Sequence, residues 1–340
     1  MLTSRSTNGG LTWSNPVVTA AGDLDKNWIV CDNTASSAFF GNCYTQYDIV
    51  SGNSIRMRTS TNGGVTWGAA LAPGGGATGL GGQPIVRPNG TVLVPYRSTS
   101  SSAIRSFRSI DGGVSWRATV QVSTISHHTV AGSLRESPLP SAEIDSAGTA
   151  YAVWADCRFR SNCTSNDIVL SKSTSETTWA APVRIPIDAV TSTVDHFVPG
   201  IAVDKSTSGS SARIGVTYYY YPTAACSSTT CQLTVGFISS ANGGTSWSAP
   251  VQIAGPMTLS WLPNTSQGRM FGDYISTSIL PGGNAFPVIP IASAPSGGLF
   301  HVPMFVPTGG MAIVGGALAA TKWTGPESAG TSLEPPQPHR

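Results

Sequence analysis

Apolar and polar residues alternate over short runs along most of this chain, and glycine-rich turns separate the runs. The stretches QPIVRPNGTVLVPY (83–96), LPSAEIDSAGTAYAVW (139–154) and VPGIAVDKSTSGSSARIGVTYYYY (198–221) each predict a strand, a turn and a second strand. No stretch of convincing length shows the apolar spacing of an amphipathic helix. The pattern therefore predicts an all-β protein.

An octapeptide that ends in tryptophan recurs between the predicted strands. Its copies are STNGGLTW (6–13), STNGGVTW (60–67), SIDGGVSW (109–116) and SANGGTSW (240–247), and a degenerate copy, SKSTSETTW, ends at Trp179. The Asn or Asp side chain can accept a backbone N–H two residues on, and the glycine pair accepts positive φ. We expect a tight hairpin turn whose tryptophan is buried, and a structural role for the motif, since none of its groups suits acid, base or nucleophile chemistry.

The spacing of these copies predicts a repeat architecture. The tryptophans follow one another at roughly 50 to 70 residues, the length of a four-stranded unit with variable loops. A third strand leads into each octapeptide and a short fourth strand follows it. Four-stranded antiparallel units around an axis form a β-propeller. We expect residues 270–306 to supply strands that pair with residues 1–20. If these strands form a blade of their own, the count is six, which we favour; if they share one blade with the N-terminus, the count is five.

Composition limits the classes of partner. Only 11% of residues are charged and the net charge is +2, so nothing favours nucleic acid, and no apolar run is long enough for a bilayer. We expect a monomer without cofactor, with a propeller domain over residues 1–324 and a loose polar tail over 325–340.

The six cysteines form three close pairs in sequence, and none of them is accompanied by further residues in a metal-ligand pattern. They predict three local disulfides and an oxidising compartment, hence a secreted protein: Cys31 with Cys43, Cys157 with Cys163, and Cys226 with Cys231. The opening MLTSRSTNGG does not have the pattern of a signal peptide, so we expect a mature or truncated form.

Topology predicts where a site would lie. If each octapeptide joins a third strand to a fourth, the opposite face collects the loops between blades and the loops between second and third strands. Ligands of such rings bind where loops converge over the axis. In this charge-poor chain those loops are rich in charge; they hold Asp23, Asp25, Lys26, His127, His128, Arg135, Glu136, Asp156, Arg158, Arg160, Asp167, Asp195, His196, Arg269 and Asp273.

Two of these sets also have simpler explanations. Asp156 and Arg158 can form an ion pair that only fixes a loop. His127 and His128 are explained better as an exposed or hydrogen-bonded pair than as a metal site, because the spacing marks no third ligand. We therefore expect no bound metal.

The motif Ser-x-Asp/Asn-Gly-Gly-x-Thr/Ser-Trp resembles the Asp-box (BNR repeat) of the sialidase-like propellers, and its copies cover most of the chain. The resemblance implies a secreted microbial exo-sialidase-like glycoside hydrolase. A sialidase needs three arginines that clamp the substrate carboxylate, a Tyr nucleophile activated by a Glu, and an Asp acid/base. The family's first clamp arginine lies in an aromatic-Arg-Ile-Pro motif, and the one Arg-Ile-Pro here (184–186) falls on a predicted fourth strand, so we do not assign it that role.

Residue type and face then suggest an assignment. Tyr274 is the candidate nucleophile, Glu136 its base and Asp195 the acid/base. The clamp would comprise Arg135, Arg158 and Arg269, and further substrate contacts would come from Asp156, His196 and Asp273. The expected partner is a glycan or an acidic sugar.

Two alternatives remain open. A different glycosidase could use two of Asp156, Asp195 and Asp273 as paired carboxylates. A non-catalytic propeller, lectin-like or for protein interaction, is kept open by the tyrosines at 219–221, which we expect to face solvent.

Overall fold

The computed structural model describes residues 1–314, and its regular elements are β-strands and short 3₁₀ turns. A hairpin of β1 (Leu2–Thr3) and β2 (Val17–Val18) precedes five antiparallel sheets, the blades of a β-propeller. Of the two expected blade counts, the described chain has five. The 3₁₀ turns are Ser51–Asn53, Ala131–Ser133, Ser161–Cys163, Gly209–Ser211 and Leu259–Trp261. Within residues 1–314 no helix has the length and apolarity needed to cross a membrane. The predicted tail, 325–340, lies outside the described residues.

The strands follow the chain from blade to blade. Blade 1 comprises β3 (Leu24–Cys31), β4 (Cys43–Ile49) and β5 (Ser54–Ser60), with a bridge from Met57 to Leu71 in place of a fourth strand. Blade 2 comprises β6 (Gly79–Leu80), β7 (Ile85–Val86), β8 (Val92–Ser98), β9 (Ala103–Ser109) and β10 (Val120–Thr124), where β6 and β7 both pair with β8 as an interrupted first strand.

The remaining blades are built in the same order. Blade 3 comprises β11 (Ser141–Ile144), β12 (Ala150–Asp156), β13 (Asp167–Ser173) and β14 (Val183–Arg184). Blade 4 comprises β15 (Asp195–Val203), β16 (Ile214–Tyr221), β17 (Gln232–Ser240) and β18 (Val251–Thr258). A hairpin of β19 (Asn264–Thr265) and β20 (Gly268–Arg269) follows. Blade 5 comprises β21 (Ser276–Ile279), β22 (Ala285–Pro290) and β25 (Met304–Phe305), and the hairpin β23 (Ser293–Ser296) with β24 (Leu299–His301) is inserted before β25.

The expected pairing of the N-terminus with a late strand is wrong for the described residues, where β1 and β2 pair only with each other. The Met1 amino group donates to the Ala20 carbonyl oxygen at 2.7 Å, so the hairpin closes on itself. The Met1 sulphur lies 4.0 Å from the Thr45 hydroxyl, which places the hairpin against blade 1.

In blades 2, 3 and 4 the octapeptide turn joins the third strand to the fourth, as expected, whereas the copy at 6–13 lies between β1 and β2 and the copy at 60–67 follows the third strand of blade 1. The bonds of the turns differ from the expectation. In blade 2 the Ser109 Oγ accepts the Gly113 N–H at 2.9 Å, and Asp111 Oδ1 accepts the Ser115 N–H at 2.9 Å, four residues on rather than two. Gly112 and Gly113 have φ of 69° and 85°, where a side chain would be strained. The side chains therefore replace the backbone bonds that this sharp turn cannot make.

Burial of the five tryptophans is confirmed for one copy only. Trp116 is 5% exposed and its ring packs on Tyr44 and Phe107. Trp13 is 64% exposed, because the indole ring belongs to none of the apolar clusters described below. The indole N–H donates to the Gly10 carbonyl of the same turn at 3.0 Å. The other three, Trp67, Trp179 and Trp247, are half-buried.

The core is divided among the seams between consecutive blades. Four apolar clusters are found in the described chain; three combine residues of two neighbouring blades, and the fourth combines residues of blades 3, 4 and 5. Ile168 of blade 3, for example, belongs to the same cluster as Ile201 of blade 4. Burial of each such side chain contributes about 1.5–3 kcal/mol. No cluster of this kind joins blade 5 to blade 1 within residues 1–314.

The strand ends define the face that carries the candidate site. First strands begin and second strands end on one side of the ring, together with the loops between blades; we call this side the loop face.

All three expected disulfides are present: Cys31–Cys43, Cys157–Cys163 and Cys226–Cys231. The last two close second-to-third-strand loops on the loop face, as expected.

Candidate active site on the loop face

Two buried carboxylates on the loop face each meet a histidine. The Glu136 side chain is 1% exposed, and its Oε2 lies 2.9 Å from His127 Nε2. Asp195 has no exposed side-chain surface, and its Oδ2 lies 2.9 Å from His128 Nδ1. We call these four residues the carboxylate–histidine site.

Local structure explains how Asp195 is held. It is the first residue of β15, where the strand starts at the loop face. Its Oδ1 accepts hydrogen bonds from the Asn166 backbone N–H at 2.7 Å and from Asn166 Nδ2 at 3.0 Å. The same amide donates to the His128 carbonyl and accepts the His128 N–H, both at 2.8 Å. Asn166 therefore fixes Asp195 and the loop that carries His128 to each other.

Glu136 lies in a different environment. Its contact with His127 has ion-pair distance but lacks hydrogen-bond alignment, so within the described chain neither of its buried oxygens has a hydrogen-bond partner. Burial raises the pKa of Glu136; the neighbouring His127 lowers it in part, and the charge of Asp195 raises it further. Because little stabilises the carboxylate form, Glu136 retains its proton more readily than an ordinary glutamate.

Sequence reasoning missed two residues beside this pair. Tyr221, the last residue of β16, is the strand partner of Asp195, and its buried hydroxyl has no hydrogen-bond partner in the described residues. Burial raises the pKa of Tyr221, and the charges of Asp195 and Glu136 add to this. Arg97 on β8 is half-buried and makes no ion pair or hydrogen bond with its side chain within residues 1–314, and its charge lowers the pKa of Glu136. Their positions at second-strand ends were the available signal.

A second charged group lies next to this site, because Arg135 precedes Glu136. Arg135 binds Asp273 through both carboxylate oxygens, Nε to Oδ1 at 3.1 Å and Nη2 to Oδ2 at 3.0 Å, and Lys26 binds the same carboxylate.

Tyr274, the candidate nucleophile, packs edge-to-face on Trp28 with ring centroids 5.1 Å apart. Burial, then the charges of Asp273, Asp25 and Asp48, raises the pKa of Tyr274 to about 12. The catalytic role of Tyr274 and the clamp role of Arg135 stay predictions.

Three other predicted contacts are engaged by protein groups. Arg158 binds both oxygens of Asp156, with Nε to Oδ1 at 2.9 Å and Nη2 to Oδ2 at 2.7 Å. Arg269 Nη1 donates to the carbonyls of Ser260 at 3.2 Å and Leu262 at 2.5 Å. The two guanidinium groups therefore hold loops, and their role in substrate binding remains a prediction.

His196 also turns into the protein. Its buried ring packs on Tyr218 and Tyr220, and Nδ1 lies 3.1 Å from the Asn166 carbonyl oxygen. Burial lowers the pKa of His196, so the neutral imidazole is favoured. The expectation that tyrosines 219–221 face solvent is wrong: Tyr219 and Tyr221 have no exposed surface and Tyr220 is half-buried, because their strand lies inside blade 4 and packs against blades 3 and 5.

Another charged group on the loop face is one that we call the arginine network. It comprises Arg160, Asp167, Arg184 and Asp188. Arg160 Nη2 lies 2.6 Å from both Asp167 Oδ1 and Asp188 Oδ1, and Arg184 Nε lies 2.8 Å from Asp167 Oδ1. Ligand atoms of Asp167, Asp188 and His196 lie within 4.8 Å of one another, as a metal ion would require. The two guanidinium groups already supply the positive charge that a cation would bring.

Comparisons with known proteins identify the fold. No family model and no curated protein sequence matches the chain. Among solved structures, an alpha-L-arabinanase of Penicillium chrysogenum complexed with arabinobiose is 13% identical, with a TM-score of 0.53 over 84% of this chain and 77% of its own. A protein of unknown function from Dyadobacter fermentans is 12% identical, with a TM-score of 0.50 over 90% and 82%. A Hadza microbial sialidase is 12% identical, with a TM-score of 0.49 over 84% and 56%. At such identities the first two support the propeller fold and nothing finer.

Proposed function

We propose that this protein is a secreted glycoside hydrolase that acts on an acidic glycan, with Glu136 and Asp195 as its carboxylate pair. The observation that carries the proposal is that two buried carboxylates lie on one face of the ring, each beside a histidine, in unlike environments. Glycosidases use such a pair: one carboxyl group protonates the leaving oxygen, and the other acts as base or nucleophile. The three disulfides are typical of proteins from oxidising compartments, which favours secretion.

The environments suggest the division of roles. Glu136, whose pKa is raised by burial, is the general acid that gives its proton to the glycosidic oxygen. Asp195 is the partner carboxylate, held by the backbone N–H and the side-chain amide of Asn166 and facing His128. Tyr221 lies beside both carboxylates and Tyr274 lies beside Asp273, so each is a candidate hydroxyl for the sialidase-like variant of this chemistry.

Arg97 favours an acidic sugar. Arg135 and Arg158 are engaged by carboxylates of the protein, whereas Arg97 has no such partner in the described chain and acts on Glu136 through its charge. An arginine binds a carboxylate through two parallel hydrogen bonds and keeps its charge while doing so. In this proposal Arg97 binds the acidic group of the substrate.

A panel of chromogenic glycosides and acidic polysaccharides tests the proposal. We expect hydrolysis of an acidic substrate, and a loss of kcat of about 10²- to 10⁴-fold in Glu136→Gln and in Asp195→Asn. Glu143→Gln is the matched control, since burial also raises the pKa of Glu143. This residue lies near the end of β11 that points away from the loop face, where its carboxylate is 3.7 Å from Lys205. Full activity in both variants would refute the proposal. Binding without hydrolysis by the wild type would favour the lectin-like alternative.

A further inference from the structure

The loop face also has a cavity whose lining residues are not those of the carboxylate–histidine site. It has a volume of 580 Å³ and lies at the seam between blades 1 and 2. Its polar lining includes Arg56, Arg105, Tyr96, Ser54, Thr78 and Thr119, and no Asp or Glu is part of it. Arg56 stands near the start of β5 and Arg105 near the start of β9, which are equivalent third strands that begin at the loop face.

Both guanidinium groups are held in place but lack a counter-charge. Arg105 Nε donates to the Thr119 hydroxyl at 3.1 Å, and Arg56 Nη1 donates to the Ile55 carbonyl at 2.9 Å. Neither side chain makes an ion pair with another part of residues 1–314. Arg108, on the same strand as Arg105, lies 3.1 Å from Glu176. Each guanidinium has five N–H donors, so most donors of Arg56 and Arg105 remain for a ligand.

The remaining lining suits a sugar. Tyr96 is 1% exposed and forms a rigid wall, and the Ser54, Thr78 and Thr119 hydroxyls can bond to sugar hydroxyls or oxyanions. Two like charges that share one cavity repel each other, and an oxyanion bound between them would relieve this repulsion. We propose that this cavity binds the carboxylate or sulfate group of an acidic polysaccharide.

The position of the cavity relates it to the proposed active site. Tyr96 and Arg97 are consecutive residues of β8, and successive strand residues point to opposite faces of a blade. Tyr96 lines the cavity, and Arg97 acts on Glu136. One strand thus contributes to both places, so the cavity is a subsite for a sugar unit remote from the bond that is cleaved. This inference rests on the proposed function for the identity of its ligand.

Calorimetric titration tests the subsite without turnover. The Glu136→Gln protein is titrated with tetragalacturonate, with a chondroitin sulfate tetrasaccharide, with neutral cellotetraose and with inorganic sulfate. We expect at least one acidic tetrasaccharide to bind more tightly than cellotetraose and inorganic sulfate. Adding Arg56→Ala and Arg105→Ala should weaken that binding by about tenfold or more, because bonds between charged groups are lost.

Two further variants keep the test independent of folding and of net charge. Arg117→Ala removes one exposed positive charge elsewhere and should leave the affinity unchanged. Arg105→Lys keeps the charge and loses the planar fork, so it should weaken binding less than Arg105→Ala. Circular dichroism melting shows that each variant is folded.

Four results would overturn the subsite: no binding of either acidic probe, equal affinity in the double variant, an equal loss in Arg117→Ala, or inorganic sulfate binding as tightly as the tetrasaccharides. Failure of the proposed function would look different. Glu136→Gln would then hydrolyse as fast as the wild type, while the double variant would still bind acidic tetrasaccharides more weakly.

Discussion

The arginine network and the carboxylate–histidine site lie on the same face of the propeller, and each holds two carboxylates. Both carboxylates of the site are buried, whereas in the network Asp167 is buried and Asp188 is half-buried. In the network, Asp167 and Asp188 are neutralised by Arg160 and Arg184 at distances of 2.8 Å or less. In the site, Glu136 and Asp195 each lie 2.9 Å from a histidine; Asp195 also accepts hydrogen bonds from Asn166, whereas neither Glu136 oxygen has a hydrogen-bond partner among the described residues.

The difference shows how charge is used in this charge-poor chain. The carboxylates paired with arginine hold loops together; Arg160, for example, also donates to the Ala189 and Ser192 carbonyls at 2.7 and 2.8 Å. Burial beside a histidine, without a hydrogen bond to either oxygen in the described residues, raises the pKa of Glu136 and makes it a candidate proton donor. The first arrangement stabilises the fold, and the second is the one to which our proposal assigns acid–base chemistry.

The largest expected effect is on the free energy of unfolding when the network loses Arg160. Arg160→Ala leaves Asp167 and Asp188 short of a buried partner, so we expect a loss of about 3–5 kcal/mol in urea unfolding. Arg97→Ala removes an unpaired side chain and should change stability by about 0.5 kcal/mol or less. Similar losses in the two variants would remove the distinction between the two groups.

A second prediction concerns the pH dependence of stability. Because the pKa of Glu136 is raised in the folded protein, folding is favoured by protonation: the stabilisation is complete below the unfolded value, and it is lost as pH rises through the folded value. Glu136→Gln should therefore flatten the fall in stability on the alkaline side, as measured by melting temperature from pH 4 to pH 9. A steeper fall than in the wild type would contradict the buried, weakly solvated carboxylate described here.

Asp48 extends the comparison to a carboxylate outside both groups. Burial raises its pKa to about 6, and Asn53 Nδ2 at 3.3 Å is the hydrogen-bond donor to its side chain among the described residues. Stability should fall as pH rises from about 4 to about 6, between the unfolded and folded values. Asp48→Asn should remove that fall. An unchanged profile would show that Asp48 is better solvated than its buried position indicates.

The smallest expected effect distinguishes two buried tyrosine hydroxyls. Tyr151 donates to Asp145 Oδ2 at 3.1 Å, whereas the Tyr221 hydroxyl has no hydrogen-bond partner within residues 1–314. Tyr151→Phe should cost about 1 kcal/mol, and Tyr221→Phe should be neutral or stabilising. Paired urea titrations measure the difference. A larger loss for Tyr221→Phe would mean that its hydroxyl is bonded in solution.

The sequence was most informative where local chemistry determines structure. The glycine pairs and their Ser and Asn or Asp partners specify the octapeptide turn, so strand order, the loop face and all three disulfides could be predicted. The partners of the charged residues could not. Arg158 binds its near neighbour Asp156, but Arg135 binds Asp273 from the other end of the chain. Tyr221 lies beside Asp195 only because β15 and β16 pair in one particular register.

Ring closure was also beyond local reasoning. Pairing of the termini was expected because many propellers close by a shared blade, yet β1 and β2 form their own hairpin here. The two-residue length of these strands gives little backbone to pair with a distant partner. Burial of each tryptophan likewise depends on what the neighbouring blade presents to it, as the exposed Trp13 and the buried Trp116 show.

The octapeptide turns give the ring a direction. The Gly113 turn of blade 2 lies against Thr59 and Tyr44 of blade 1, the Gly244 turn of blade 4 lies against Leu170 of blade 3, and the turn after Ser173 in blade 3 receives bonds from Arg87 of blade 2. In each case the docking surface belongs to the blade that the ribosome has already released. During synthesis, each blade can therefore pack onto the blade that was completed before it. The apolar surface of a new blade then stays exposed only until the next few dozen residues have been synthesised.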